Sequence, residues 1–245
     1  MGGSSPNSTH ATIVMAHGYS AVNEMYLDRY AEAFADAGLN ALVFDNRNFG
    51  ASDGEPRQEI DANRIGVWGS SYSGGHVLVV SAIDRRVKAV VSQGALVDSY
   101  QNLRRLVRPD FIAGFQEQFD ADRLARYNGE APAMVLVVDQ DPLVPSALPT
   151  LDSYQWFTES HKTMAPSWHN EVTLRSVEML GEYVPASYIE YISPTPTDLA
   201  IATYERAREP KRIEILPGGH FDIYTKGFDQ SSSLARDWFV KHLAS

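Results

Sequence analysis

Residues 65–75 read IGVWGSSYSGG, and the fold turns on this stretch. Ile65 to Gly69 is a short apolar run of the kind that forms a buried strand, and the serines and glycines after it lead into a helical stretch reaching about Ile83. A strand that turns sharply into a helix can hold a serine at its apex on strained backbone, provided the residues two before and two after it are small. Ser71 meets this condition with Gly69 and Ser73 and is the first candidate nucleophile. Ser73, flanked by Ser71 and Gly75, is the second, and Ser70 fails because Trp68 would occupy the crowded position. A phosphate-binding loop fits less well, since the Walker lysine is missing and no GxGxxG spacing occurs.

Working outward, other short apolar runs alternate with helical patterns. Ala11 to Ala16, Asn40 to Asp45 and Val87 to Ser92 read as buried strands, and Tyr26 to Ala37 as an amphipathic helix stopped by Gly38. Strands apolar on both faces, alternating with helices, predict an α/β architecture with a mostly parallel sheet covered on both sides. From Asp98 to about Tyr191 the sequence becomes mainly helical and rich in aromatics, with one strand-like run at Met134 to Val138. This predicts a helical cap over 98–191, inserted between a first core segment, 1–97, and a last one, 192–245. The last segment is predicted to hold a helix from about Thr197 to Arg208, a strand from Arg212 to Leu216, and a closing helix with Ala235, Trp238, Phe239 and Leu243 on one face.

A serine hydroxyl needs a base to take its proton. His220 lies in LPGGHF, directly after the strand RIEIL, on the sheet edge where loops follow strands. His10, His161, His169 and His242 have no such placement. Reaction at a carbonyl also needs donors for the developing oxyanion. The turn His17-Gly18-Tyr19 ends the first strand, so the backbone N–H groups of Tyr19 and of Tyr72, the residue after Ser71, are the candidate donors.

Composition narrows the partners. Thirty-one acidic against 21 basic residues give a net charge of −10, which disfavours nucleic acid, whose phosphates are held by clustered Lys and Arg. The absence of cysteine removes disulfides, thiolate zinc sites and a cysteine nucleophile together. No tight metal-ligand cluster such as HExxH is present, and neither metal nor cofactor is expected. With no apolar run of membrane-spanning length and no secretory leader pattern, a cytoplasmic protein without membrane contacts is expected.

The stretches AHGYSAVNEMYLDRYAEAFADAGLNALVFDNRNFGASDGEPRQEID, RIGVWGSSYSGGHVLVVSAIDRRVKAVVSQGA, HNEVTLRSVEMLGEYVPASYIEYISPTP and LPGGHFDIY resemble the α/β-hydrolase superfamily. The likeness is to a subgroup similar to dienelactone hydrolases and X-Pro dipeptidyl peptidases that includes fungal polyketide transferases, and it spans nearly the whole chain. It implies an α/β-hydrolase fold. It also implies hydrolysis of an ester or thioester, or transfer of a polyketide acyl group to an alcohol, with small-molecule acyl substrates. The aromatic cap would supply an apolar pocket for the acyl chain.

Against such relatives three core pieces are expected to be missing: one or two leading antiparallel strands, a crossover helix in the segment between Asp45 and Ile65, and a strand after YISPTP that carries the third catalytic residue, an acid. A sheet face left uncovered by the absent helix would favour a homodimer. The acid is therefore an open assignment. Asp141, in the run DPLVP after a strand-like segment and between Ser71 and His220 in order, is the first candidate, with Asp198 and Asp139 behind it. A catalytically weak remnant of the fold is the competing expectation.

Overall fold

The computed structural model describes residues 10–45, 60–107, 109–199 and 201–243. In chain order the elements are β1 (His10–Ala16), α1 (Leu27–Ala35), β2 (Asn40–Val43), β3 (Ile60–Ser70), α2 (Tyr72–Ile83) and β4 (Val87–Gln93). Then come α3 (Ser99–Leu106), α4 (Pro109–Tyr127), β5 (Met134–Leu136), α5 (Leu151–Thr163), β6 (Glu171–Thr173) and α6 (Leu174–Glu182). A 3-10 turn, Pro185–Tyr191, leads to β7 (Thr197–Leu199), α7 (Ile201–Tyr204), β8 (Lys211–Ile213), a second 3-10 turn, Asp222–Tyr224, and α8 (Phe228–Leu243).

The chain forms two compact units, residues 1–97 with 185–245, and residues 98–184. The first unit is built on a six-stranded sheet in the order β2-β1-β3-β4-β7-β8, with every neighbouring pair parallel. Parallel strands must be joined by crossovers, so each strand delivers its following loop to the same edge of the sheet. On one face α1 buries Leu27, Tyr30 and Phe34, at spacings of three and four, and α8 buries Ala235, Trp238, Phe239 and Leu243. Tyr30 packs on Trp68 of β3 at 4.8 Å and Phe34 meets Phe239 edge-on at 5.5 Å. Gly66 of β3 lets α8 close down, since a side chain there would collide with Phe239 and Leu243 of that helix and with Ile13 of β1.

In the second unit the stacked rings of Phe157 and Trp168, 5.3 Å apart and both buried, form part of the core, and Phe119 is also buried. Buried Asp122 holds the chain there, accepting from the Ala133 N–H at 2.8 Å and from Arg126 at 2.7 Å.

Several expectations shift. The insertion closes at Val184, and residues 185–191 belong to the sheet unit, where their turn packs on α2. The run expected as a strand from Met134 to Val138 is β5, only three residues long, which pairs antiparallel with β6. The helix expected from Thr197 is instead β7 followed by the single turn α7, because Thr197 and Asp198 pair with β4 and β8. A strand thus does follow YISPTP, though of three residues only. The leading polar residues and the core of the expected missing crossover, 46–59, lie outside the described residues.

Candidate active site

The local sequence at the end of β3 makes an unusual turn. Ser71 precedes the first residue of α2 with φ 56° and ψ −119°, a conformation that costs a non-glycine residue on the order of 1–3 kcal/mol. Its backbone is held on both sides. The Ser71 N–H donates to the Gln93 carbonyl at 2.9 Å, and the Leu96 N–H donates to the Ser71 carbonyl at 2.9 Å. Gly69 is required, because a Cβ there would fall on the Ser73 carbonyl. Gly18, at the end of the neighbouring β1, is nearly as constrained, since its Cβ would lie 3.0 Å from the Ser71 Cβ.

The loop after β8 brings His220 to this turn. Its Nε2 lies 3.1 Å from the Ser71 Oγ, across 149 residues of sequence. Two devices fix the loop. Asp222 folds back to accept from the Gly219 N–H at 2.7 Å, and that bond together with the Lys226 ammonium holds its carboxyl below the usual carboxylate range. Tyr224 is buried, and its hydroxyl is hydrogen-bonded to the buried hydroxyl of Ser70 on β3. Nearby, Tyr30 of α1 donates to the Ile223 carbonyl at 2.8 Å and accepts from the Gln93 amide at 2.9 Å.

Tyr19 and Tyr72 flank the site from two elements, their rings edge-on at 5.6 Å, and Tyr72 lies 4.4 Å from the ring of His76. Burial raises both phenol pKa values above the ordinary tyrosine range, so both hydroxyls stay protonated at neutral pH. A cavity of about 340 Å³ adjoins His220 within the same unit, lined among others by Gly94, Asp198, Glu214, Leu216 and Leu234.

The remaining sequence candidates each have partners of their own, and Asp198 also lines the cavity beside His220. Ser73 is buried inside α2, its hydroxyl 3.3 Å from the His76 Nδ1. Asp198 sits on β7 and is paired with Arg212 at 2.5 Å. Asp141 belongs to the second unit, where its carboxylate accepts from the Leu143 N–H at 2.9 Å and its own N–H donates to Asp139 at 2.8 Å. Two buried residues beside the site were not singled out by the sequence reading, namely Asp45, and His17 as a side chain. The His-Gly step at the end of a strand and the Asp at the end of β2 were the available signals. Among the described residues, no three His, Asp or Glu side chains converge as metal ligands would, and no helix is long and apolar enough to cross a membrane.

The fold matches that of the crystal structure of the alpha/beta hydrolase GrgF from Penicillium sp. sh18, with a TM-score of 0.76 at 24% identity over 96% of this chain and 90% of that one. The chain is an enzyme of the α/β-hydrolase fold. By sequence it is similar to the thiohydrolase aneE of Aspergillus aculeatus, 29% identical over 216 residues that cover 77% of this chain and 67% of the relative. It is also similar to the polyketide transferase grgF of a Penicillium species, 25% identical over 268 residues that cover 95% of this chain and 88% of the relative. That alignment is longer than the 245 residues of the chain, so the relative carries internal residues with no counterpart here. No protein-family model matches the chain.

Proposed function

We propose that the protein is a serine-dependent acyl hydrolase that cleaves an ester or thioester through an acyl intermediate on Ser71. The observation that carries this reading is the 3.1 Å approach of the His220 Nε2 to the Oγ of a serine held on left-handed backbone. A neutral His220 with its proton on Nδ1 takes the hydroxyl proton at Nε2 as Oγ attacks the substrate carbonyl. The N–H groups of Tyr19 and Tyr72 receive the oxyanion that forms. The imidazolium then returns its proton to the departing alcohol or thiol, leaving acyl-Ser71. In the second half His220 deprotonates a water that attacks the acyl carbon, and the proton passes back to Oγ as the carboxylic acid leaves.

The polyketide transferase among the relatives supports a second reading, in which an alcohol replaces that water and the acyl group is transferred rather than released. Both readings share the acyl-serine. Incubation with a chromogenic short-chain thioester should give turnover that Ser71→Ala lowers by about 10³-fold or more, and quenched wild-type protein should carry the acyl mass on the peptide containing Ser71. Equal rates for the two proteins would overturn the proposal. Adding a small alcohol then separates the two readings, since only a transferase converts it to ester in preference to water.

A further inference from the structure

His17 is 1% exposed and Asp45 4% exposed, two titratable side chains buried side by side at the ends of β1 and β2 and not used in the chemistry above. The His17 Nδ1 lies 2.9 Å from the carbonyl oxygen of Gly18, and its Nε2 lies 3.5 Å from the Asp45 Oδ1. Asp45 is itself oriented, because the same oxygen accepts from the Asn23 N–H at 2.7 Å. A carbonyl oxygen only accepts, so the contact at Nδ1 is a hydrogen bond when that nitrogen carries the proton.

The Gly18 carbonyl belongs to the same planar unit as the Tyr19 N–H. In a trans peptide the two point in opposite directions, so fixing one fixes the other. Gly18 also packs closely on the proposed nucleophile, since a Cβ added to it would lie 3.0 Å from the Ser71 Cβ. The ring of His17 therefore grips one end of the peptide whose other end is the candidate oxyanion donor. The Ala21 N–H, which donates to the same carbonyl at 3.3 Å, adds a second and longer hold.

We infer that His17 is a positioning residue for the reaction at Ser71: its Nδ1–H holds the Gly18–Tyr19 peptide plane so that the Tyr19 N–H faces the developing oxyanion. This inference rests on the proposed acyl-serine chemistry. An asparagine amide reproduces the donor at Nδ1, a glutamine amide reaches the place of Nε2, and leucine offers neither, so the three variants separate donor position from bulk.

The test measures kcat and KM of the full-length protein on a chromogenic thioester for His17→Asn, His17→Gln and His17→Leu. Amide hydrogen exchange of residues 17–21 is followed in parallel. Misaligning one oxyanion donor costs on the order of 10²-fold in kcat. His17→Leu and His17→Gln should fall by about that factor with KM changed less than about threefold, and His17→Asn should regain tenfold or more. Exchange across residues 17–21 should quicken in the Gln variant relative to the Asn variant, whatever the turnover. Equal kcat for Asn and Gln, or a loss confined to KM, overturns the inference, and comparing these two polar variants keeps the test decisive if the leucine variant does not fold. Wild-type protein without Ser71-dependent turnover would instead overturn the parent proposal, while the exchange comparison still reports on His17.

Discussion

At the scale of single residues, the site is dominated by backbone conformation. Ser71 holds φ 56° because the segment from Gln93 to Leu96 binds its N–H and its carbonyl, and the cost of that conformation is carried by every residue with a Cβ. Ser71→Gly removes the steric cost together with the hydroxyl, whereas Ser71→Ala removes only the hydroxyl. We expect the glycine variant to be more stable than the alanine variant by about 1 kcal/mol, the relief exceeding the extra chain entropy that glycine loses on folding. Urea unfolding of the two inactive proteins checks this, and equal midpoints would mean that the turn is not strained. The sharp turn at Ser71 was legible in the sequence for the same steric reason, since few residues other than small ones can stand at positions 69 and 73. Asp141, the acid expected from its DPLVP setting, also serves its own turn, its carboxylate accepting from the Leu143 N–H two residues on.

At the scale of elements, the question is what keeps a partly exposed histidine loop in register with the turn at Ser71. The hydrogen bond between Tyr224 and Ser70 ties that loop to β3, and it connects residues 154 apart that no periodicity could have paired in advance. Tyr224→Phe leaves the Ser70 hydroxyl buried without this partner and should destabilise the protein by about 1–3 kcal/mol, while Tyr224→Phe with Ser70→Ala should recover much of the loss. A double-mutant cycle by thermal unfolding measures the coupling, and additive losses would show that the two hydroxyls act independently. The strands β1 to β4 and the helices α1 and α8 were read from their apolar runs. Short elements were not: β7 was mistaken for the start of a helix because three residues carry too little pattern, and it is set by pairing on both sides rather than by its own composition.

At the scale of the whole molecule, burial pushes His17 and His76 below the ordinary histidine value of 6.5, and burial with the nearby Lys241 and Arg212 charges does the same for His242. An unfolded chain therefore binds more protons than the folded one as pH falls below that value. The sign follows: the stability these residues allow is fully present above about pH 6.5 and declines as the medium acidifies toward their lowered folded values. Melting temperature should fall between pH 7.5 and 5.5, and His76→Gln should flatten the slope; a profile unchanged by that variant would show that His76 contributes nothing to it. The α/β class was visible from sequence because it depends on alternation along the chain, whereas the approach of His17 to Asp45 joins the ends of two strands and depends on their packing. The interruption of the sheet unit by residues 98–184 also has a meaning in time. On the ribosome the serine is made 149 residues ahead of its imidazole, so a nascent chain holds half of the proposed pair until the final strand has been laid beside β7. Reactivity then waits on the arrival of β8 and the loop after it, not on the synthesis of the serine.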